Sequence, residues 1–235
     1  MFDNEQNIKF YDLGLRSYED TLNIQHHYHQ LAQDENKQTI LFVEHTPVVT
    51  KGHFAEDSDF ITSPEILQQN NVDIFKVERG GKLTAHMPGQ IVVYPILNLA
   101  SFGLSTRSYV TLLEKTLMDV LREYGIESFV NPEYPGVWVG NAKVAAIGVR
   151  IKNRASMHGL ALNVNNKLDL FKAIVPCGIL GKTVTTMAEL SQRPISIDEV
   201  KLSLLKQLVT KLSLQQPSWS ISGDRIPGLL QRYNP

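Results

Sequence analysis

The spacing of apolar residues changes period several times along this chain. Val110, Leu113, Leu117, Val120, Leu121 and Tyr124 recur at intervals of three and four, which predicts an amphipathic helix over Ser105–Tyr124 capped by Gly125. Val200, Leu202, Leu204, Leu205, Leu208 and Val209 predict a second, opened by a Ser196-x-x-Glu199 capping box. Ser17, with Asp20 near the third helical position, predicts a helix to about Asn36, and Ser63-Pro64 opens a short one to about Asn70. Apolar runs of strand length occupy Thr39–Glu44, Ile74–Glu78, Ile91–Leu97, Gly136–Val139, Lys143–Ile151 and Met157–Val164. Helices and strands intermingle without the steady alternation of a doubly wound sheet. The expected class is therefore α+β, a mixed and largely antiparallel sheet with helices packed on it. No repeat, low-complexity tract or linker divides residues 1–235, so one domain is expected, and Gln215–Pro235 is too short for a second.

Composition narrows the setting. Lys plus Arg (23) against Asp plus Glu (24) leaves a net charge of -1, which offers no strong field for nucleic acid or an anionic membrane. No apolar run approaches the ~18 residues of a membrane span, and the acidic, polar start Met1-Phe2-Asp3-Asn4-Glu5 is unlike a signal or transit peptide. A single cysteine excludes an internal disulfide framework and a cysteine-based zinc cluster. The expected compartment is the reducing cytoplasm.

Four stretches could carry chemistry. Cys177 lies in Val175-Pro176-Cys177-Gly178-Ile179, where Pro176 and Gly178 bend the backbone and let a substrate approach. A lone cysteine also packs readily as a small hydrophobe, and a reactive one needs a cation or base nearby. Arg79-Gly80-Gly81-Lys82-Leu83-Thr84-Ala85-His86-Met87-Pro88-Gly89-Gln90 reads as a long irregular loop between two strands. It is either a plain connection or a glycine floor for an elongated substrate, with Arg79 and His86 as polar contacts. It fits neither nucleotide-binding fingerprint, GxGxxG nor GxxxxGK[ST]. Lys143 opens a small-residue strand containing Ala145, Ala146 and Gly148. It is a solvated charge or, if desolvated, a base. His158 precedes another small-residue run, His158-Gly159-Leu160-Ala161, and by itself reads as a hydrogen-bonded structural histidine. His26, His27 and His29 set no third metal ligand by spacing, and His45 and His53, flanking Thr46-Pro47, define no metal geometry. No metal site is expected.

Taken together, Glu44–Gly52, Arg79–Pro95, Gly136–Val164 with its GVWV-x4-KVAAIGVR and HGLALNV runs, and Pro176-Cys177-Gly178-Ile179 resemble the lipoyl(octanoyl) transferase family. They stand in family order across residues 44–179. The resemblance implies the fold shared with biotin and lipoate protein ligases. It also implies an acyltransferase that moves an octanoyl group from acyl carrier protein to a lysine of a lipoyl domain, the first step of endogenous protein lipoylation. The acceptors implied are the lipoyl domains of 2-oxoacid dehydrogenase acyltransferase subunits and the glycine cleavage H protein; no nucleic acid, membrane or cofactor is implied. By this resemblance Cys177 bears the acyl group as a thioester and Lys143 lowers the thiol pKa. Arg79, Gly80, Gly81, Lys82, Leu83, Thr84, Ala85, His86, Ala146, Ile147, Gly148, Gly159, Leu160 and Ala161 are its acyl-substrate contacts.

Two departures stand beside the expected pocket: Ala85 where the family usually has Tyr, and Met87 where it usually has Gly. They predict an altered chain-length preference. The alternative on the same fold is an ATP-dependent lipoate or biotin protein ligase, which needs no nucleophilic cysteine and carries a longer glycine run. A silent carrier-binding module would have no use for both Lys143 and Cys177. A cysteine hydrolase pairing Cys177 with His158 or His86 would release free octanoate.

Overall fold

The computed structural model describes residues 6–175, 183–215 and 219–221. In chain order, β1 (Gln6–Arg16), α1 (Tyr18–Asp34) and β2 (Gln38–His45) form a parallel crossover unit. Then come β3 (Val48–Lys51), α2 (Pro64–Gln69), β4 (Asp73–Lys76), β5 (Leu83–His86) and β6 (Gln90–Ile96). Helix α3 (Thr106–Glu123) leads to β7 (Phe129–Val130), β8 (Val137–Val139), β9 (Ala142–Lys152) and β10 (Ala155–Asn163). The chain continues through β11 (Thr183–Val184), α4 (Met187–Ser191), α5 (Ile197–Gln215) and β12 (Trp219–Ile221).

These strands make two sheets. The larger runs β12-β1-β2-β6-β10-β9-β8-β7, antiparallel from β2 onward, with β11 alongside β9; the smaller is β4-β3-β5. The α+β expectation of a mixed, mostly antiparallel sheet holds.

The capping residues act as their chemistry dictates. Ser17, Ser63 and Ser105 each accept a backbone N–H three residues on, and Ser196 does the same for Glu199. One face of the main sheet is closed by α3 and α5 over Ile40, Phe42, Ile91, Val93, Leu160 and Leu162. On the other face α1 covers Leu41, Val43, Val92, Tyr94 and Ile96. The small sheet packs on its own cluster of Val49, Leu67, Leu83, Ala85 and Phe171. Residues Arg79–Gln90 are not the continuous irregular loop expected: Leu83–His86 is strand β5, paired residue by residue with β3.

Candidate active site

Lys143 is held by the turn before it. Its Nζ donates to the Pro135 carbonyl at 2.8 Å and lies 4.9 Å from the centre of the Trp138 ring, whose Nε1 donates to the Tyr134 carbonyl. The lysine is only 5% exposed. The carbonyl oxygen that accepts from the amine and the aromatic face beside it replace the water this side chain gives up on burial. Gly136 makes this closure possible: it sits at φ 121°, and a Cβ there would come within 2.5 Å of the Ala145 oxygen and 3.4 Å of Lys143 Cδ and Cε. Strand β11 runs beside the same segment, with Val184 opposite Lys143. Cys177 lies outside the described residues. The described chain stops at Val175, bonded to the Asp59 carbonyl, and resumes at Thr183, opposite Ala142.

From Lys143 a cavity of about 460 Å³ extends between the two sheets. Ala146, Gly148, Gly159 and Ala161 form its floor on β9 and β10, where Gly148 pairs with Gly159 and Ala146 with Ala161. Gly159 could not carry a side chain, and at Gly148 one would press on Arg79. A Cβ at Gly159 would collide with the Val93 carbonyl oxygen, and one at Gly148 would meet Arg79 Cδ at 3.0 Å. The roof is Arg79–Thr84. Arg79 is 8% exposed and donates from Nε and Nη2 to Thr50 Oγ1, from Nη2 to the Thr50 carbonyl and from Nη1 to the Gly80 carbonyl. The guanidinium thus welds the roof to β3, and Lys82 ties it to Asp59 at 2.9 Å. The Gly80 N–H is already engaged by the Val149 carbonyl at 3.1 Å, so it is no oxyanion donor here.

The cavity ends at a cluster of rings. Tyr18, His86, Tyr94 and His158 line it, and His45 packs behind, 5.6 Å from His86 and 5.9 Å from Tyr94. His45 Nδ1 faces the Arg16 carbonyl, which can only accept, so Nε2 accepts from the Tyr94 hydroxyl at 2.8 Å. The Gln90 amide donates to the Ala85 carbonyl and Asn163, leaving its oxygen to accept from His86 Nδ1 at 2.7 Å. Burial drives all three histidines toward neutrality: His45 is pushed down to about 4, and His86 and His158 to about 3. For His86 the neighbouring His45 adds to the effect of burial, and for His158 the Arg79 charge does. Burial likewise pushes the Tyr18 hydroxyl up to about 12, against the pull of Arg79. This end of the cavity holds hydrogen-bonding groups that stay uncharged.

All the expected contact residues except one line this cavity: Arg79, Gly80, Gly81, Lys82, Leu83, Thr84, His86, Ala146, Ile147, Gly148, Gly159, Leu160 and Ala161. Ala85 is the exception. Alternation along β5 turns Thr84 and His86 toward the cavity and buries Ala85 with Val49, Leu67 and Val72 under the small sheet. Met87 packs in that same cluster, where the Asn166 amide meets its sulfur at 3.3 Å. The two departures are core residues, not cavity residues. His158 is not an ordinary structural histidine, since its Nδ1 has no hydrogen-bond partner among the described residues. Sequence reasoning missed Tyr18, Tyr94, Tyr134 and Pro135. The first two were hidden in a helix start and an apolar run, while the Pro-Gly pair at 135–136 did signal a turn next to Lys143. Among the described residues no group of three or more His, Asp or Glu side chains could hold a metal.

Residues 17–209 match the model of the lipoyl protein ligase A/B catalytic domain, more than four-fifths of the chain. The chain belongs to this family. Among curated members, the octanoyltransferase of Caldicellulosiruptor saccharolyticus is 40% identical over 197 residues, 83% of this chain and 84% of that protein. That of Pseudomonas entomophila is 36% identical over 212 residues, 90% and 95% of the two chains. Solved structures show the same fold at low identity. Lipoate-protein ligase A bound with ATP superposes with a TM-score of 0.68 at 14% identity, covering 94% of this chain and 90% of the other. The bipartite archaeal lipoate protein ligase of Thermoplasma acidophilum gives 0.66 at 16%, covering 94% and 88%. Within the lipoyl protein ligase A/B family, this member presents one buried lysine at the mouth of a narrow, small-residue slot.

Proposed function

We propose that this protein is an octanoyltransferase, the activity named for its curated relatives. It takes an octanoyl group from the thioester of octanoyl-acyl carrier protein and delivers it to a lysine amine on a lipoyl domain. Those acceptors belong to 2-oxoacid dehydrogenase acyltransferase subunits and the glycine cleavage H protein. Residues 1–235 act as one catalytic unit in the cytoplasm; among the described residues no helix is long and apolar enough to cross a membrane.

The observation that carries this reading is the pairing of Lys143, anchored on Pro135 and Trp138, with an apolar slot floored by alanine and glycine. Burying the seven carbons beyond the carbonyl contributes on the order of 5 kcal/mol of gross transfer energy at ~0.8 kcal/mol each.

The chemistry runs in two steps. Lys143 accepts the Cys177 thiol proton, the thiolate attacks the donor carbonyl, and the carrier's sulfur leaves with that proton. The acceptor amine then attacks the Cys177 thioester, Lys143 takes a proton from it, and the cysteine sulfur departs and is reprotonated. The first step exchanges one thioester for another. The second makes an amide and is downhill, so no nucleotide is needed.

The test is intact-protein mass after incubation with octanoyl-acyl carrier protein alone. An octanoyl adduct on Cys177, formed without ATP or Mg²⁺ and discharged by a lipoyl domain, is the expected result. Transfer that requires ATP overturns the reading in favour of a ligase.

A further inference from the structure

The slot has a measurable length. Val137 lies opposite Ala145, and the end of the Lys143 side chain lies against Gly136, so the amine sits level with Ala145 rather than with its own Cα. At the other end, His158 lies opposite Val149. Four residues of strand separate the two levels, ~13 Å at ~3.3 Å per residue. An extended eight-carbon acyl chain, built from bonds of ~1.5 Å, spans ~9–10 Å and leaves room for the thioester. That separation of strand levels suits this chain and not a much longer one.

His158 occupies the far end in an unusual way. It is a non-glycine residue at φ 60° inside an otherwise regular strand. Simple alternation would place it with Leu160 and Leu162, which pack on the α3 and α5 face. Instead its ring stands edge-on to Tyr94 at 6.4 Å, on the α1 face, and its main-chain N–H donates to Gln25 Oε1 at 3.0 Å. The ring is 3% exposed, and its Nδ1 makes no hydrogen bond among the described residues. Internal hydrogen bonding at Nδ1 therefore does not account for the ring's position. In that position the ring lines the cavity beside Tyr94.

We propose that His158, braced by Tyr94, is the stop that sets acyl-chain length. This rests on the octanoyl-transfer reading above and names the residue that measures its substrate. Chains shorter than the slot forgo about fourfold in binding for each missing methylene. Chains that are too long drive a methyl group into the imidazole. The wall does not swing aside, because the Tyr94 hydroxyl is bonded to His45, itself held by the Arg16 carbonyl.

The test compares His158→Asn and His158→Gly with the parent, using hexanoyl, octanoyl, decanoyl and dodecanoyl carrier protein as donors. Both replacements tolerate a left-handed backbone, and thermal melts check that they fold. The decanoyl-to-octanoyl ratio of kcat/KM should rise at least tenfold in His158→Gly and by an intermediate factor in His158→Asn. A purely structural role would lower all lengths together. Should neither variant fold, Tyr94→Phe reads the same wall by loosening its brace, with the ratio expected to rise about threefold. Ratios within twofold of the parent, with octanoyl transfer intact, overturn the inference alone. A parent that transfers no octanoyl group overturns the functional reading and this inference with it.

Discussion

The two ends of the cavity are built on opposite principles. At one end a single amine is buried, held by a carbonyl and an indole in a turn that only glycine can close. At the other, four ring side chains and a fifth behind them pack on one another, and burial keeps the three histidines neutral. A reacting group must be able to exchange a proton, so it is placed at the end of a flexible side chain. A recognising wall must not change charge or move, so burial suppresses its titration and mutual bonds fix its rings. The same low-polarity interior serves both.

That contrast can be broken at its reactive end first. Cys177→Ala should abolish both the acyl adduct and amide product, read by intact mass, while the protein stays folded. Lys143→Ala should keep the fold yet lower kcat/KM by ~10²-fold or more, the scale of a lost general base. Raised pH should recover part of that loss by ionising the thiol directly. Equal activity of Lys143→Ala and parent across pH would remove the dyad from the mechanism. Gly136→Ala forces a Cβ against the Ala145 oxygen at a strained φ, and should destabilise by ~1–3 kcal/mol. Because the same turn positions Lys143, the variant should also lose transfer by about tenfold, whereas a loss of stability alone would show the turn to be mere scaffold.

The neutral end is probed by acid. His45, His86 and His158 have folded-state values of about 4, 3 and 3, below the ~6.5 of an unfolded histidine. The unfolded chain therefore binds more protons below pH 6.5, and stability falls as pH falls from there toward the folded values. Each histidine contributes at most about 2 kcal/mol of that loss at pH 5. The melting temperature should drop by about 10 °C between pH 7 and pH 5, and a flat profile would refute the buried, neutral cluster.

The smallest effect concerns Ala85 and Met87. Ala85→Tyr with Met87→Gly changes the core of the small sheet, so melting temperature should shift while the ranking of acyl chain lengths stays within twofold.

Sequence patterns carried much of this architecture, and the failures have physical causes. The four main helices were legible because serine caps and spacings of three and four mark them, and the central strands because apolar residues dominate them. Strand β1 was missed because Lys9, Tyr11 and Asp12 dilute its pattern and a bulge at Gly14 interrupts it. Of the small sheet only β4 was expected, as Ile74–Glu78; β3 and β5 were missed because they are four residues each and β5 hides among glycines. In the site, Lys143 and the Ala146–Gly148 and Gly159–Ala161 floor came from the family resemblance, because residue type alone left the lysine open as a solvated charge. The ring cluster was not legible, since it joins α1, β2, β5, β6 and β10 only in space. Nor does any local signal announce that His158 is left-handed.

The bond from the His158 main chain to Gln25 bridges 133 positions of sequence. Gly159 abuts the β6 backbone, and the roof hangs on Thr50, so much of the slot is assembled from partners remote along the chain. Closing such loops is entropically slow compared with forming α1 or α3, whose contacts are local. Contact order therefore predicts that the cavity takes its shape after α1 and α3 have formed. Protection of the His158 amide, bonded to Gln25, should then lag that of α1 during refolding, and simultaneous protection would refute this order.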